Sequence, residues 1–498
     1  MFQNYNHLGF NNPYYFQKNG EFVIKSNLSD LLAKDSSLRK IDPVAVIELL
    51  HKTYILGDRT IIQEVYKTPW LAKPNNNNND WDYYKVPKHG QLDISEQEIA
   101  HTLFDKICSE LQLYIGNRTK VGILLSGGMD SRMVAGALDY LIKKNKFSPA
   151  LEVTGLTWGN IDSRDVIYAK EIAHRLNWKW KHYTVTAKDL LNNISETAIR
   201  GCEYSPIHLH AIPQVRDDNA NLEVILAGSY GDSIGRAEYA GWKVKYLKPI
   251  LGKITNLINI VNQNVFNNSL SFVEKDVKSY HAKFPKKESY AQNELDYQLH
   301  YMRRMLNPCM ELLNEKSEFY QVFTHPNVYG YMWSLIPERR NDLVYKYMYN
   351  NFITKLDDIP WARTGLPYGQ KVGNPDKLKK DHHSYVKIIK TEIFDDIITL
   401  IYSENFSRLG IFNIRAIKKL VSLLKIFPSK SLFFYDKLIL FASISKMSEI
   451  YKIEGLKDKY LEGSKRNFVL LEYLYYRVRH TITPIIKKYI PTIFLKFK

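Results

Sequence analysis

The run Val121-Gly122-Ile123-Leu124-Leu125-Ser126-Gly127-Gly128-Met129-Asp130, followed by Ser131-Arg132, constrains the fold more than any other stretch of the chain. Gly122 to Leu125 is a short apolar run of the kind that forms a buried parallel strand. It stops at Ser126-Gly127-Gly128, and a helical pattern runs from about Ser131 to Lys144. A strand, a glycine pair and a helix N-terminus together make an anion site. Glycine lets backbone N–H groups approach an oxyanion, and the helix dipole favours negative charge there. Asp130 stands at the mouth of the turn, where a carboxylate can hold the Mg²⁺ that accompanies a nucleotide. The Gly-Lys-Ser/Thr ending of the other common phosphate loop is absent.

Around this turn the alternation is regular. It predicts strands at Lys120–Ser126, Leu151–Thr157, Trp180–Thr186 and Glu223–Ser229, and helices at Ser131–Lys144, Ser163–Leu176, Ala187–Arg200 and about His208–Val215. Apolar strands separated by helices argue for an α/β, doubly wound parallel sheet covered on both faces. Ligands bind such sheets at the carboxyl ends of the strands, here marked by Ser126, Thr157 and Ser229. Before the sheet, Glu21–Ser26 reads as a strand, Leu28–Leu32 as a short helix, and Asp42–Lys52 as a helix capped by Asp42 with Pro43 at its first position. Asn75–Asn79 reads as a mobile polar loop, and Ser95–Tyr114 as a helix leading into the sheet. After Gly241 the pattern is mainly helical, with loops at Pro326–Asn327, Asp357–Pro375 and Phe427–Ser431. Pro484 and Pro491 interrupt the last stretch, Thr481–Lys498, so a packed helical tail is expected there rather than a membrane-surface helix.

The net charge is +17, and roughly half of it falls after residue 390. A basic surface can attract RNA, anionic lipid or an acidic substrate. The Asn, Lys, Ile and Tyr bias is that of an AT-rich genome, which accounts for the charge without a nucleic-acid partner. Cys108, Cys202 and Cys309 have neither metal-ligand nor disulfide spacing, which fits a reducing cytoplasm. The first residues show no basic and apolar leader, and no apolar run is long enough to span a bilayer.

Ser126-Gly127-Gly128-x-Asp130-Ser131 resembles the pyrophosphate loop of the ATP pyrophosphatases, which split ATP into AMP and pyrophosphate. The wider chain is similar to the asparagine synthetase family. Val153–Thr157 resembles the family's second strand, and Asp162-Ser163-Arg164-Asp165 with Ala169 resembles the helix start after it. Leu226-Ala227-Gly228-Ser229-Tyr230-Gly231-Asp232-Ser233 stands at the Leu-Ser-Gly-Glu-Gly-(Ser/Ala)-Asp-Glu motif. Pro326-Asn327 lies near the family's Pro-Phe-Leu-Asp segment, and Ile359-Pro360-Trp361-Ala362-Arg363 resembles its Leu-Pro-Trp-Arg loop. The likeness is strongest over residues 118–240 and weak after about 390. It implies three units: a truncated class II glutamine amidotransferase-like unit over 1–90, an ATP pyrophosphatase domain of the adenine nucleotide α-hydrolase type over 91–390, and a basic helical extension over 391–498. It also implies that Ser126, Gly127, Gly128 and Ser131 cradle phosphates and that Leu125, Thr154, Ala227 and Gly228 frame the adenosine. Asp130 and Asp232 would share Mg²⁺ and the pyrophosphate, with Arg363 or Lys371 as the cation that neutralises the leaving group.

Two departures from the family pattern stand out. Phe2 occupies the place of the nucleophilic Cys, so no glutamine hydrolysis by this chain is expected. Ser229 replaces a glutamate and Ser233 another acid; a serine is no base at neutral pH without a helper. Acceptor deprotonation then falls to another residue, with Glu203 or Tyr204 as candidates, or the acceptor arrives as a free amine. His208 and His210 are two apart, which disfavours a metal pair on one helix face; His382-His383 reads as a solvated loop, and Gly235-Arg236-Ala237-Glu238-Tyr239 as shaping the substrate mouth. The resemblance implies an AMP-forming carbon–nitrogen ligase using ATP and Mg²⁺, with a small carboxylate and ammonia or an amine as partners. A separate glutaminase is one ammonia source, and a homodimer is compatible with the layout. Asparagine synthesis is the default reaction of the family. Specialised relatives amidate sugar acids in polysaccharides, close β-lactam rings or cyclise peptides. A tRNA-modifying pyrophosphatase and a non-catalytic scaffold are the alternatives from other classes.

Overall fold

The computed structural model describes residues 5–9, 12–35, 37–75, 77–239, 242–370, 372–456 and 469–489. The chain opens with a small antiparallel sheet in which β1 (Tyr14–Lys18) lies between β2 (Glu21–Lys25) and β3 (Tyr66–Lys67). The helix Pro43–Lys52 starts where Asp42 accepts the N–H groups of Val44 and Ala45, as its Asp-Pro start predicts. A hairpin follows, β4 (Ala72–Asn75) and β5 (Asp80–Tyr83). The described residues of the asparagine run read as a mobile loop, 75 and 77–79, belong to that hairpin. The Asn75 side chain accepts the Asn77 N–H at 3.0 Å and that of Asn78 accepts the Asp80 N–H at 3.2 Å, which is how Asn closes a turn.

The central sheet is parallel throughout. Its strands β6 (Lys120–Leu124), β7 (Glu152–Trp158) and β9 (Val224–Ala227) are legible as apolar runs, and β8 (Lys179–Tyr183), Lys-Trp-Lys-His-Tyr, only by its place between two helical patterns. A two-residue hairpin, β10 (Glu238–Tyr239) with β11 (Trp242–Lys243), comes next. The fifth strand of the sheet, β12 (Glu318–Gln321), pairs with the outer side of β9, giving the order β12-β9-β6-β7-β8. This strand lies in the stretch read as mainly helical; four residues between helical patterns leave no period to detect. Alternation along β6 sends Val121 and Ile123 into one core with the helices Glu96–Ile115 and Met129–Lys143. Leu124 enters the opposite core with Ala187–Ile199 and Leu432–Tyr451. Helices therefore cover both faces, and the sheet is doubly wound.

Two helical readings change. The expected helix His208–Val215 is a 3₁₀ turn, Pro206–Leu209, and a helix, Ile212–Asp218, separated at His210, whose φ is 48°. Pro213 sits in the first turn of the second piece, where it lacks the N–H that would continue a helix from before. Pro326-Asn327, read as a loop, begins the helix Pro326–Ser334, with the His325 imidazole accepting the Asn327 N–H. At the C-terminus a helix runs from Val469 to Tyr489; Tyr473 is buried in it, whereas Leu471 and Tyr475 are exposed. Residues 490–498 of the expected tail lie outside the described residues.

The first ninety residues have no core of their own. Tyr14 to Val65 share one with the C-terminal helices and one face of the central sheet. A ten-residue π-helix, Tyr297–Leu306, joins this part to the rest. Its Arg303 and Arg304 are fully buried, and both donate to the Gly57 carbonyl. Arg303 also reaches the Thr68 carbonyl and pairs with Asp58; Arg304 reaches the Arg59 carbonyl and lies 3.3 Å from Glu203. Lys67 is 3.3 Å from the same Glu203. Glu203, a sequence candidate for the acceptor-side base, is thus engaged by this buried ion cluster. Tyr204, the other candidate, is buried in the neighbouring hydrophobic core and bridged through its backbone to Tyr54.

A second buried pair clamps the far side. Arg340 donates two bonds to Glu294, at 2.9 and 2.5 Å, and both residues are inaccessible to solvent. His89 approaches the same carboxylate at 3.3 Å. Arg340 holds the Glu294 carboxyl at about 2 against an ordinary value of 4.5. A carboxylate with a depressed folded-state pKa stabilises fully above its unfolded value and loses that contribution as pH falls. Urea unfolding should therefore show stability dropping between about pH 4.5 and 2, a drop weakened in Glu294→Gln. At neutral pH that variant should cost about 3–5 kcal/mol, because the buried Arg340 loses its carboxylate.

Candidate active site

The glycine turn closes on itself through its two serines. The Ser126 hydroxyl accepts the Gly128 N–H at 3.1 Å, and the Ser131 hydroxyl accepts the Ser126 N–H at 3.2 Å. The two hydroxyls lie 3.1 Å apart. The helix begins at Met129, two residues earlier than the pattern suggested, so Gly128 is its N-cap and the loop N–H groups sit at the positive end of the dipole. Gly127 admits no side chain. An added Cβ would lie 2.9 Å from Ala362 Cβ and 3.0 Å from the Arg164 carbonyl.

The second acid arrives on the turn after β9. Gly228 lies so close to the first helix turn that a Cβ there would stand 2.5 Å from the Asp130 carbonyl oxygen. Gly231 faces the Asp130 Cβ at the same virtual distance of 2.5 Å. Tyr230 between them takes a left-handed φ of 72°, turning the chain sharply so that Asp232 points back toward Asp130. The Asp232 carboxyl is pushed up to about 6, first by burial and then by the Asp130 charge, with Arg236 and Arg363 acting in the opposite direction. Two carboxylates that repel in this way at a helix N-terminus suit a hard divalent cation. Mg²⁺ needs one or two carboxylates and takes its remaining ligands from water and phosphate. Among the described residues there is no group of three or more His, Cys, Asp or Glu that could hold a metal ion.

Arg236 was not singled out as a ligand partner by the sequence. It is nearly inaccessible and binds Asp130 in a bidentate fork, Nε to Oδ1 at 3.0 Å and Nη2 to Oδ2 at 2.9 Å. Its guanidinium lies against the Trp361 and Tyr345 rings, 5.4 and 5.7 Å from their centroids. The only signal in the sequence was an arginine one helical turn after the second acid.

Arg132, directly after the motif, was also missed. It is fully buried and donates to the carbonyls of Ile359 (2.6 Å), Pro360 (2.8 Å) and Gly127 (3.2 Å). Ala362 returns an N–H to the Gly127 carbonyl at 3.2 Å. One side chain thus fastens the Ile359–Arg363 loop to the glycine turn. The exposed Arg363 stacks on Trp361 at 4.6 Å, near enough to Asp232 to lower its pKa. Lys371, the alternative cation, lies outside the described residues.

A cavity of about 460 Å³ opens at the carboxyl ends of β6, β7 and β9. Leu125, Ser126, Gly128, Asp130, Ser131, Ala227, Gly228 and Ser229 line it. Gly127, Asp232 and Arg363 are not among its lining residues, and neither is Thr154. Thr154 pairs with Gly122 in the middle of the sheet, and Thr157 and Trp158 stand at the end of that strand instead. His382-His383, read as a solvated loop, also line the cavity, with His208 and His210. His383 is stacked between His210 (4.6 Å) and Tyr385 (4.5 Å), and burial lowers its pKa to about 3. Asp165 reaches the cavity beside the Gly127 N–H, with His382 at 3.6 Å; burial raises its pKa. The Ser229 hydroxyl donates to the Met310 sulfur at 3.2 Å, whereas Ser233 is buried and bonds the Tyr230 carbonyl.

Arg132→Met would leave the Ile359 and Pro360 carbonyls without their donor, while Gly127 keeps the Ala362 N–H. At roughly 1 kcal/mol or more for each, the loss should be at least about 2 kcal/mol in chemical unfolding. Amide hydrogen exchange should rise across 356–363. Arg363→Met, on an exposed residue, should leave both readouts unchanged.

Comparison with known proteins bears on one part of the chain. Residues 115–235 match the family model described as asparagine synthase. No curated protein matches the sequence. A solved structure of the U34-tRNA thiolase NcsA from Methanococcus maripaludis with its [4Fe-4S] cluster shares 11% identity. That alignment covers 77% of this chain and 89% of the other, at a TM-score of 0.25. The matched stretch carries the glycine turn, both acids and four of the five strands of the central sheet. Residues 115–235 thus form an asparagine synthase-family domain, an enzyme domain of the ATP pyrophosphatase class.

Proposed function

We propose that this chain is an ATP-dependent, AMP-forming ligase that joins a carboxylate to ammonia or an amine. The observation that carries the reading is the convergence of Asp130 and Asp232 beside the Ser126–Ser131 turn, at the ends of two adjacent parallel strands. The substrate carboxylate oxygen attacks the α-phosphorus of ATP, and the bond to the β-phosphate oxygen breaks. The nitrogen then attacks the acyl carbon and AMP departs, with one proton lost from the nitrogen. Asp130 and Asp232 would hold the Mg²⁺, which supplies charge neutralisation on the phosphates. Ser126, Gly127, Gly128 and Ser131 cradle the pyrophosphate, while Leu125, Ala227 and Gly228 frame the nucleoside. Arg363, held at the turn by the Arg132-fastened loop, neutralises the departing pyrophosphate.

In this reading the first ninety residues serve as scaffold, and ammonia or an amine comes from outside the chain. No described helix is long and apolar enough to cross a membrane. We place the reaction in the cytoplasm on the three buried free cysteines.

Pyrophosphate release, assayed with a panel of carboxylates, amino acids and RNAs, tests the assignment. Release that needs a carboxylate and continues to amide with ammonia supports it. Release that requires tRNA replaces it with base modification, and no release together with no ATP binding leaves a scaffold. Asp130→Asn and Asp232→Asn should each lower turnover at least about 100-fold, since each removes charge stabilisation specific to the transition state. Glutamine should not substitute for ammonia.

A further inference from the structure

The cavity lining is of two kinds. One part is aromatic and imidazole, Trp158 with His208, His210, His382 and His383. The other consists of Tyr301, Met305 and Leu306 from the π-helix and Cys309 and Met310 from the helix after it. Ser229 meets this second part, its hydroxyl donating to the Met310 sulfur. Among the described residues lining the cavity there is no Lys or Arg. The π-helix does carry two arginines between its cavity-lining residues, but Arg303 and Arg304 turn the other way and are fully buried against the carbonyls of Gly57, Arg59 and Thr68. Arg236 is committed to Asp130, and Arg363 stacks on Trp361 at the pyrophosphate side.

Aspartate, activated at its side-chain carboxylate, brings two further charges, an α-ammonium and an α-carboxylate. Its α-carboxylate would need a cation against this wall, and leaving it buried without one costs several kcal/mol. A soft wall of thioethers, a thiol and an aromatic ring favours instead an apolar body that displaces water.

Building on the ligase reading, we infer that the subsite walled by Tyr301, Met305, Leu306, Cys309 and Met310 takes a carboxylate carried on an uncharged, largely apolar body and rejects an amino-acid zwitterion such as aspartate. The reading gives the π-helix a purpose: its widened turn presents three consecutive-face side chains to the cavity while its arginines anchor the opposite side.

The test uses the full chain with Mg²⁺ and α,β-methylene-ATP, so that binding is read without turnover. Calorimetry with hexanoate and with aspartate should show hexanoate binding at least tenfold more tightly. ATP–pyrophosphate exchange should follow the same order. Aspartate binding as tightly or more tightly, or binding of neither, overturns the inference. Loss of Mg²⁺-nucleotide binding itself would be a separate failure, that of the ligase reading. Met310→Arg places a cation in the wall and should shift the preference toward aspartate at least tenfold. An unchanged preference in a folded variant also overturns the inference, and the wild-type comparison stands if that variant does not fold.

Discussion

The arrangement depends on one close backbone contact, the turn after β9 lying against the first turn of the helix Met129–Lys143. Gly228 and Gly231 allow it, because any Cβ at either position would meet Asp130 or the peptide after it at about 2.5 Å. The contact brings two carboxylates to one strand edge, where burial and then the Asp130 charge raise Asp232 to about 6. Fold stability gains nothing from such a pair. The protein compensates within the site through Arg236, buried and forked onto Asp130. A cation between acids is the physical condition for this contact to persist, whether it comes from an arginine or from a bound metal.

A second constraint links the first ninety residues to the chemistry. Arg303 and Arg304 reach into the loop Gly57–Thr68, and three residues of their own π-helix form a cavity wall. Buried arginines satisfied by carbonyls hold geometry tightly, since moving either partner strands several polar groups. The N-terminal unit therefore acts on the site through the position of the π-helix, with no residue of its own among those that line the cavity.

Local chemistry was legible where it is written in consecutive residues. Strand, glycine turn and helix at Val121–Lys143, the Asp42-Pro43 cap and the three apolar strands all announce themselves by period and by capping residues. What stayed hidden depends on chain segments far apart. Arg132 looks like an ordinary helix residue until the carbonyls of Ile359 and Pro360 arrive. β12 is four residues long and exists because β9 offers an edge. Glu203 looked like a base, and its neutralisation by Lys67 and Arg304 cannot be read from spacing. Thr154 misled for a different reason. A strand motif fixes the register of a side chain but not how far along the strand the cavity begins.

The exchange of glutamate for serine at position 229 fits the wall it faces. A carboxylate there would sit against the Met310 thioether and the Cys309 thiol, with no described cation lining the cavity to hold it ionised. Serine loses the base but avoids that burial. The imidazoles over β7 do not obviously replace it. His210 and His383 are driven toward the neutral form by burial, and then by His383 and His382 respectively; a group at about 3 holds a proton too weakly for general-base work near neutral pH. Of the two routes left open by the sequence, a replacement base or an acceptor that arrives already deprotonated, this favours the second. A neutral amine also crosses an apolar wall at far lower cost than its ammonium form, so the loss of the glutamate and the apolar lining point to the same acceptor state.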